Sequence, residues 1–130
     1  MTNRPHFASV QTVATPESGN NTETVVGTLT GVIPEVASQL VKLTAIGQLT
    51  LGASSLSGTL RIRRASLTGT LVSPANGVVV FGTAAAIVNF VVTGDDTPGE
   101  GNFTYVLTYQ GTGDTGVATV QPSEFTARWD

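Results

Sequence analysis

The chain has 130 residues, a formal net charge of −3 and no cysteine. This length allows one domain with a hydrophobic core, and the lack of cysteine excludes disulfides and thiolate metal sites. A weakly acidic chain offers no electrostatic reason to bind nucleic acid or an anionic membrane. Only 12% of the residues are charged whereas 40% are hydrophobic, so uncharged polar side chains or other subunits must cover the surface.

The first 21 residues are polar and rich in turn-forming residues. After the first methionine, their larger apolar side chains are Phe7, Val10 and Val13, which is too little apolar surface to offset the backbone entropy of folding alone. We therefore expect residues 1–21 to form an extended N-terminal arm that is mobile in a free subunit and ordered on a partner. Residues 22–130 are expected to form the folded domain. The arm lacks the apolar run of a signal peptide, so we expect a soluble protein that is made in a cytoplasm and is not exported by the usual signal.

Beyond the arm, apolar and polar residues alternate with the period of two that is typical of strands. Pro- and Gly-containing turns separate the runs, at a spacing of roughly ten residues. The predicted strands cover residues 24–33, 40–51, 58–64 with an extension over 68–72, 78–81, 84–92, 103–110, 117–120 and 124–130. No segment is long enough for the helix of a βαβ unit, so the pattern predicts about eight antiparallel strands in a β-sandwich or barrel.

The run from residue 58 to residue 72 holds half of the basic residues of the chain. Leu60 and Ile62 alternate with Arg61 and Arg63, which predicts a strand with one dry and one wet face. The alternation breaks at Arg64, which predicts a β-bulge or a short turn there. As a nucleic-acid site the arginines lack interleaved aromatic residues. They are either a solvated strand face or the partners of acidic residues in a neighbouring subunit, and we treat all three as interface candidates.

Residues 84–92 are apolar on both faces of their predicted strand. The run is too short to span a bilayer, and its β-branched residues favour a strand over a helix. Burial of both faces indicates a central strand or a subunit interface. We therefore predict a homotrimer, with Val88 and Phe90 in the interface.

No catalytic constellation is recognisable in the sequence. The single histidine, His6, lies in the arm, and no second histidine or cysteine is available to share a metal ion. Asp95, Asp96 and Glu100 share one loop and have oxygen ligands suited to Ca²⁺, but acidic loops are usually solvated. We expect no enzymatic activity, no cofactor and no metal.

Four short runs resemble small jelly-roll virion proteins of tailed bacteriophages and the tumour-necrosis-factor-like heads of phage and bacterial trimers. They are Arg61-Ile-Arg-Arg64, Gly69-Thr-Leu-Val72, Asp96-Thr-Pro-Gly99 and Tyr105-Val-Leu-Thr108. The resemblance extends over roughly residues 24–128. It implies a jelly-roll β-sandwich, often trimeric, that serves as a capsid decoration (cement) protein or as a fibre head, and it provides no catalytic residues to transfer.

Two functions follow from this resemblance. The first is a structural virion protein that binds the outer capsid surface as a homotrimer and stabilises the shell, with the major capsid protein and its own copies as partners. The second is a receptor- or glycan-binding head domain of a phage tail or fibre. The chain carries a polar arm and few aromatic residues, which favours the capsid decoration protein. A pilus-type subunit is a third alternative, although it would normally need an export signal.

Overall fold

All regular structure in the described part of the computed structural model is β-strand. The described residues are 6–10, 15–18, 23–50, 57–72, 78–81, 86–111 and 117–129, and they contain no helix long and apolar enough to cross a membrane. They form β1 (His6–Val10), β2 (Thr15–Ser18), β3 (Thr24–Val32), β4 (Val41–Thr50), β5 (Ser57–Arg64), β6 (Val78–Phe81), β7 (Ile87–Asp96), β8 (Phe103–Gly111) and β9 (Val117–Trp129). The all-β prediction is therefore confirmed.

The strands form two antiparallel sheets. The first sheet has the order β1-β9-β4-β7, with β2 also paired to β9, and the second has the order β3-β8-β5-β6. Most neighbours within a sheet are distant in sequence, since the chain crosses repeatedly from one sheet to the other. This is the strand order of a jelly-roll sandwich.

The hydrophobic core lies between the two sheets, where β4 buries alternate residues and β8 buries the whole run from residue 105 to residue 109. The inward faces that the sequence predicts for residues 40–51, 58–64, 103–110 and 124–130 are confirmed where they are described. The buried side chains include Val41, Leu43, Ala45 and Leu49 from β4, Leu60 and Ile62 from β5, Tyr105, Leu107 and Tyr109 from β8, and Phe125, Ala127 and Trp129 from β9. Tyrosine and tryptophan rings thus supply much of the core volume.

A tight turn follows β5, as the break in alternation at Arg64 predicts. Ala65 has a positive φ of 76°, and the amide of Gly69 donates to the carbonyl of Ser66 at 2.9 Å. A side chain at position 69 would collide with the carbonyl oxygen of Arg64, so the turn requires glycine there. The returning chain then makes an isolated antiparallel bridge between Leu71 and Arg63, so residues 68–72, which were expected to extend or restart the strand, fold back against β5 instead.

The last two predicted strands are one continuous strand, β9, and not two. Along β4, Ile46 lies opposite Glu124 and Gly47 lies opposite Pro122, so Ser123 is an extra residue in the ladder. The Ser123 hydroxyl donates to the carbonyl of Ile46 at 3.1 Å. A β-bulge therefore absorbs the proline, which the sequence suggested would bend and interrupt the strand.

The described parts of the N-terminal arm run along β9. β1 lies opposite residues 125–129 and β2 opposite residues 117–120, on the edge of β9 that β4 leaves open. Without β1 and β2, the 13-residue strand β9 would expose a long row of unpaired backbone groups along this edge. The arm therefore has a partner in its own chain, which its composition does not predict. The boundary at residue 21 stays a prediction.

Candidate functional site

The outer face of the second sheet carries a cluster of charged and polar side chains around Glu23. Leu60 and Ile62 face the core, so Arg61 and Arg63 face outward. Arg63 donates two hydrogen bonds to the Glu23 carboxylate, from Nε at 2.7 Å and from Nη2 at 3.1 Å. We call the set Glu23, Arg61, Arg63, Thr108 and Gln110 the Glu23 cluster, and it ties the start of β3 to β5 and β8.

The Glu23 cluster has further contacts with Thr108, Arg61 and Gln110. Thr108 donates to Glu23 Oε2 at 2.6 Å, and Arg61 Nη1 lies 3.6 Å from Glu23 Oε1 while donating to Gln110 Oε1 at 2.8 Å. Burial alone would raise the pKa of the Glu23 carboxyl. The hydrogen bonds from Arg63 and Thr108 and the charges of Arg63 and Arg61 outweigh burial, so this pKa lies below its usual value.

A second cluster closes one end of the sandwich. Arg64 continues the inward phase of Leu60 and Ile62, and it donates to both oxygens of Asp96, from Nε at 2.8 Å and from Nη2 at 2.6 Å. The Tyr105 hydroxyl donates to the same carboxylate at 2.8 Å. Because Asp96 ends β7 in the first sheet while Arg64 and Tyr105 belong to the second, this Asp96 cluster joins the two sheets.

The Asp96 cluster is a charge-assisted network with little exposed surface. The Asp96 side chain is 9% exposed. Burial would raise the pKa of Asp96, but the hydrogen bonds from Arg64 and Tyr105 and the charge of Arg64 hold it below its usual value. Burial, and then the hydrogen bond to Asp96 and its negative charge, raise the pKa of the Tyr105 hydroxyl well above its ordinary value. Tyr105 is therefore a neutral hydrogen-bond donor throughout the physiological range.

The three arginines have acidic partners within their own chain, and their predicted place in a subunit interface stays a prediction. Arg61 and Arg63 pair with Glu23, and Arg64 pairs with Asp96, all within one chain. The sequence separations of 40 residues between Arg63 and Glu23 and 32 between Arg64 and Asp96 explain why a linear pattern does not reveal the pairing. In this chain the arginines fix the register of strands and the distance between sheets.

The two apolar residues predicted for the subunit interface on residues 84–92 both face inward. Val88 is half-buried against the core and Phe90 is 2% exposed within it. The odd-numbered residues of β7 face outward instead, and among them Ile87 is 67% and Val91 56% exposed. The strand is therefore apolar on both faces, as expected, but Phe90 belongs to the core of its own chain.

The other predicted site residues lie in the arm and in the acidic loop. Phe7 pairs with Arg128 and Val10 with Phe125 through the backbone of β1, and Val13 lies outside the described residues. Among described residues no group of three acidic or histidine side chains is arranged to hold a metal ion. Asp96 is bound to Arg64, so a cation site shared with Asp95 and Glu100 is not formed there.

The end of the sandwich that the Asp96 cluster closes also has an apolar surface, which the alternation pattern did not predict. The β3–β4 connection and the turn after β5 both lie at this end, because Val32 pairs with Phe103 and Arg64 with Tyr105, near the start of β8. The connection and the turn expose four large apolar side chains, each between 38% and 50% exposed: Ile33, Val36, Leu40 and Leu67. We call this set the apolar end. Val36 and Leu67, which lie between predicted strands, were its signal in the sequence.

No family model matches the chain, and no curated protein matches it in sequence. Among solved structures it is similar to the T=1 particles derived from infectious bursal virus, with a TM-score of 0.62 and 10% identity over 97% of this chain and 32% of that chain. The Gx strain of infectious bursal disease virus gives a TM-score of 0.57 and 10% identity over 98% and 32%. The EclA C-terminal domain, a sugar-binding protein, gives a TM-score of 0.50 and 10% identity over 86% and 76%.

The chain thus spans about a third of the length of the virus-particle chains that it matches. At 10% identity such a likeness shows a shared fold and not a shared activity. The comparisons support a jelly-roll fold of the kind found in virus-particle proteins.

Proposed function

We propose that the chain is a structural virion protein of a tailed bacteriophage. In this proposal it is a capsid decoration protein that binds the outer surface of the shell as a homotrimer and stabilises it. The observation that supports it most directly is the likeness of almost the whole chain to one part of a virus-particle protein. A structural role requires no reactive side chain, and the proposal assigns no enzymatic activity.

The apolar end is the surface that we assign to contact with the major capsid protein or a sibling subunit. A sandwich that buries its core between two sheets has no structural need for four large apolar side chains in the connections at one end. The Asp96 cluster lies directly behind this surface and holds both sheets in place. We expect this anchoring to reduce the conformational entropy that the apolar end loses when it binds, which would favour stable attachment.

Two measurements test this proposal. Sedimentation equilibrium of the purified protein is expected to give three times the 13.3 kDa chain mass, whereas a monomer at micromolar concentration contradicts the trimer. Incubation with empty shells of the virus that encodes the chain, followed by electron microscopy, is expected to show density on the outer surface. Bare shells at saturating protein would contradict the decoration role itself.

A receptor- or glycan-binding head is the second candidate function. The observation that favours it is the likeness to a sugar-binding domain over 86% of this chain. Immunogold labelling of whole virions separates the two candidates, because a head lies on the tail and a decoration protein lies on the shell.

A further inference from the structure

The outer face of the first sheet contains a concavity of about 620 Å³ where β9, β4 and β7 run side by side. Its outward side chains come two from each strand: Ile46 and Gln48 of β4, Asn89 and Val91 of β7, and Gln121 and Ser123 of β9. Ile46 lies five residues from the start of β4, or about 17 Å at roughly 3.4 Å per residue. The concavity is therefore separate from the apolar end.

Three side-chain amides form a row across this concavity. Gln48 pairs in register with Gln121 of β9 and with Asn89 of β7, so the three project outward side by side. All three are exposed, and none has a side-chain hydrogen bond within the described part of the chain. Each amide group offers both donors and acceptors, and the row therefore presents both kinds of group to a ligand.

The β-bulge at Ser123 accounts for the shape of the concavity. A bulge increases the local twist and bends its strand, here next to Gly47, whose missing side chain lets β9 and the Phe90 ring approach closely. The Phe90 side chain remains in the core. Ile46 and Val91 pair directly across β4 and β7 and provide an apolar wall beside the amide row.

We propose that this concavity is a binding site for uncharged carbohydrate. No side chain lining it carries a charge, which disfavours phosphate, sulfate and acidic ligands. Amides are suited to bind sugar hydroxyls, and the Ile46–Val91 wall is suited to contact the apolar C–H face of a sugar ring. The volume lies within the range of roughly 300–1,000 Å³ that is usual for small-molecule sites.

A protein partner fits these features less well than a sugar does. Protein interfaces depend on buried aromatic or arginine anchors at their centre, whereas the centre of this concavity is a row of exposed amides. The inference deepens the second candidate function, yet a decoration protein can carry the same site. Sugar binding is measured on the isolated protein. A negative sugar titration would therefore not contradict shell attachment, and a failure to bind shells would not contradict the sugar site.

The test is a titration of the ¹⁵N-labelled full chain with glucose, galactose and N-acetylglucosamine, followed by NMR. At least one sugar is expected to shift the side-chain NH₂ signals of Gln48, Asn89 and Gln121 in a saturable manner. N-Acetylneuraminic acid, which carries a charge, is expected to bind more weakly. Absence of saturable shifts with all three neutral sugars, or shifts confined to other surfaces, would overturn the proposal.

Two variants localise the site. Gln48→Ala and Asn89→Ala each remove one exposed amide, and we expect each to weaken sugar binding about three- to tenfold, the effect of one hydrogen bond. Thr93→Ala is the matched control, since it is exposed on the same face outside the concavity, and its affinity should equal that of the unmodified chain. If the amide signals change instead with protein dilution in the absence of sugar, the surface binds a second copy and the carbohydrate assignment is wrong.

Discussion

Arg64 occupies an inward position at the end of β5, where a positive charge is tolerated only because its partners are close. Asp96 accepts two hydrogen bonds from it and a third from Tyr105. Desolvation of the three groups is thereby offset by charge-assisted hydrogen bonds. The Glu23 cluster does the same on the outer face, where the Glu23 side chain is 17% exposed.

The first prediction concerns the charge of Asp96. Asp96→Asn keeps the shape but removes the negative charge that faces Arg64, so we expect the free energy of unfolding to fall by about 1–3 kcal/mol. Asp95→Asn is the matched control on the neighbouring exposed residue, with an expected change within about 0.5 kcal/mol. Urea denaturation measures both, and equal effects for the two variants would contradict the structural role of the Asp96 cluster.

The second prediction concerns acid stability. The pKa values of Glu23 and Asp96 lie below their ordinary values of 4.5 and 3.8, so the folded state binds fewer protons than the unfolded state in this range. Their stabilisation is complete above about pH 4.5 and is lost as the pH falls through the lowered folded pKa values. Unfolding free energies measured between neutral and acid pH should show this decline. In the double variant Glu23→Gln and Asp96→Asn the decline of the unfolding free energy with falling pH should be smaller. If this decline is as steep in the double variant as in the unmodified chain, the two carboxyls do not cause it.

Among the described strands, β9 pairs with the largest number of other strands. It pairs with β4 on one edge and with β1 and β2 on the other, and its bulge accommodates Pro122 without ending the strand. Gly47 lies opposite Pro122 and faces the core. This point combines a bulge, a proline and a glycine, which makes it the most constrained contact between β4 and β9.

The third prediction tests that contact. In Gly47→Ala the new Cβ would lie 2.5 Å from the carbonyl oxygen of Gln121, 2.7 Å from the Cα of Pro122 and 2.8 Å from the Phe90 ring. Two of the three atoms belong to the backbone and cannot move cheaply, so we expect a loss of at least about 1–3 kcal/mol in unfolding free energy. Gln48→Ala on the exposed side of β4 is the control. Similar chemical denaturation midpoints for the two variants would show that β4 and β9 are less closely packed.

The fourth prediction concerns β1 and β2. Removal of residues 1–21 uncovers one edge of β9, so we expect a melting temperature lower by about 5 °C or more and association through the exposed edge. Differential scanning calorimetry and light scattering measure the two effects. A truncated protein that melts like the full chain and stays dispersed would show that the arm contributes nothing to the isolated subunit.

For the whole molecule, the amide row on the outer face of the first sheet and the apolar end are surface regions of different chemistry. Four exposed apolar side chains lie at one end, and the amide-lined concavity lies on an outer sheet face. The chain can therefore attach by its end and still present that face to solvent. This arrangement suits a protein that is fixed to a large assembly.

The fifth prediction tests attachment through the apolar end. Leu40→Asp and Leu67→Asp place charges on side chains that are already about 40% exposed, so folding should be preserved while trimer formation and shell binding weaken by at least tenfold. Ile87→Asp is the control, because Ile87 is also exposed but pairs with Thr50 at the far end of β4. If the control weakens binding as much as the two leucine variants do, the contact surface lies elsewhere.

The sequence by itself determined the fold class, most strand positions and most inward faces, because a period of two is a local property of neighbouring residues. It also located the turn after Arg64. It did not determine whether residues 117–129 form one strand or two, since a bulge that absorbs a proline depends on the partner strand. In β3 strict alternation would place Ile33 on the same face as Leu29, which is buried, but Val32 is buried and Ile33 is 50% exposed. The pairing register shifts between Leu29 and Val32, where Gly31 adopts a positive φ.

Only the tertiary structure decided which charges meet and which side chains share a surface. Glu23 reaches Arg63, and Asp96 reaches Arg64, through strand pairings between distant parts of the chain. The amide row of Gln121, Gln48 and Asn89 likewise exists only because three non-consecutive strands are held in register. Alternation along one strand determines which face a residue occupies, but the register between strands determines its neighbours, and register depends on long-range packing.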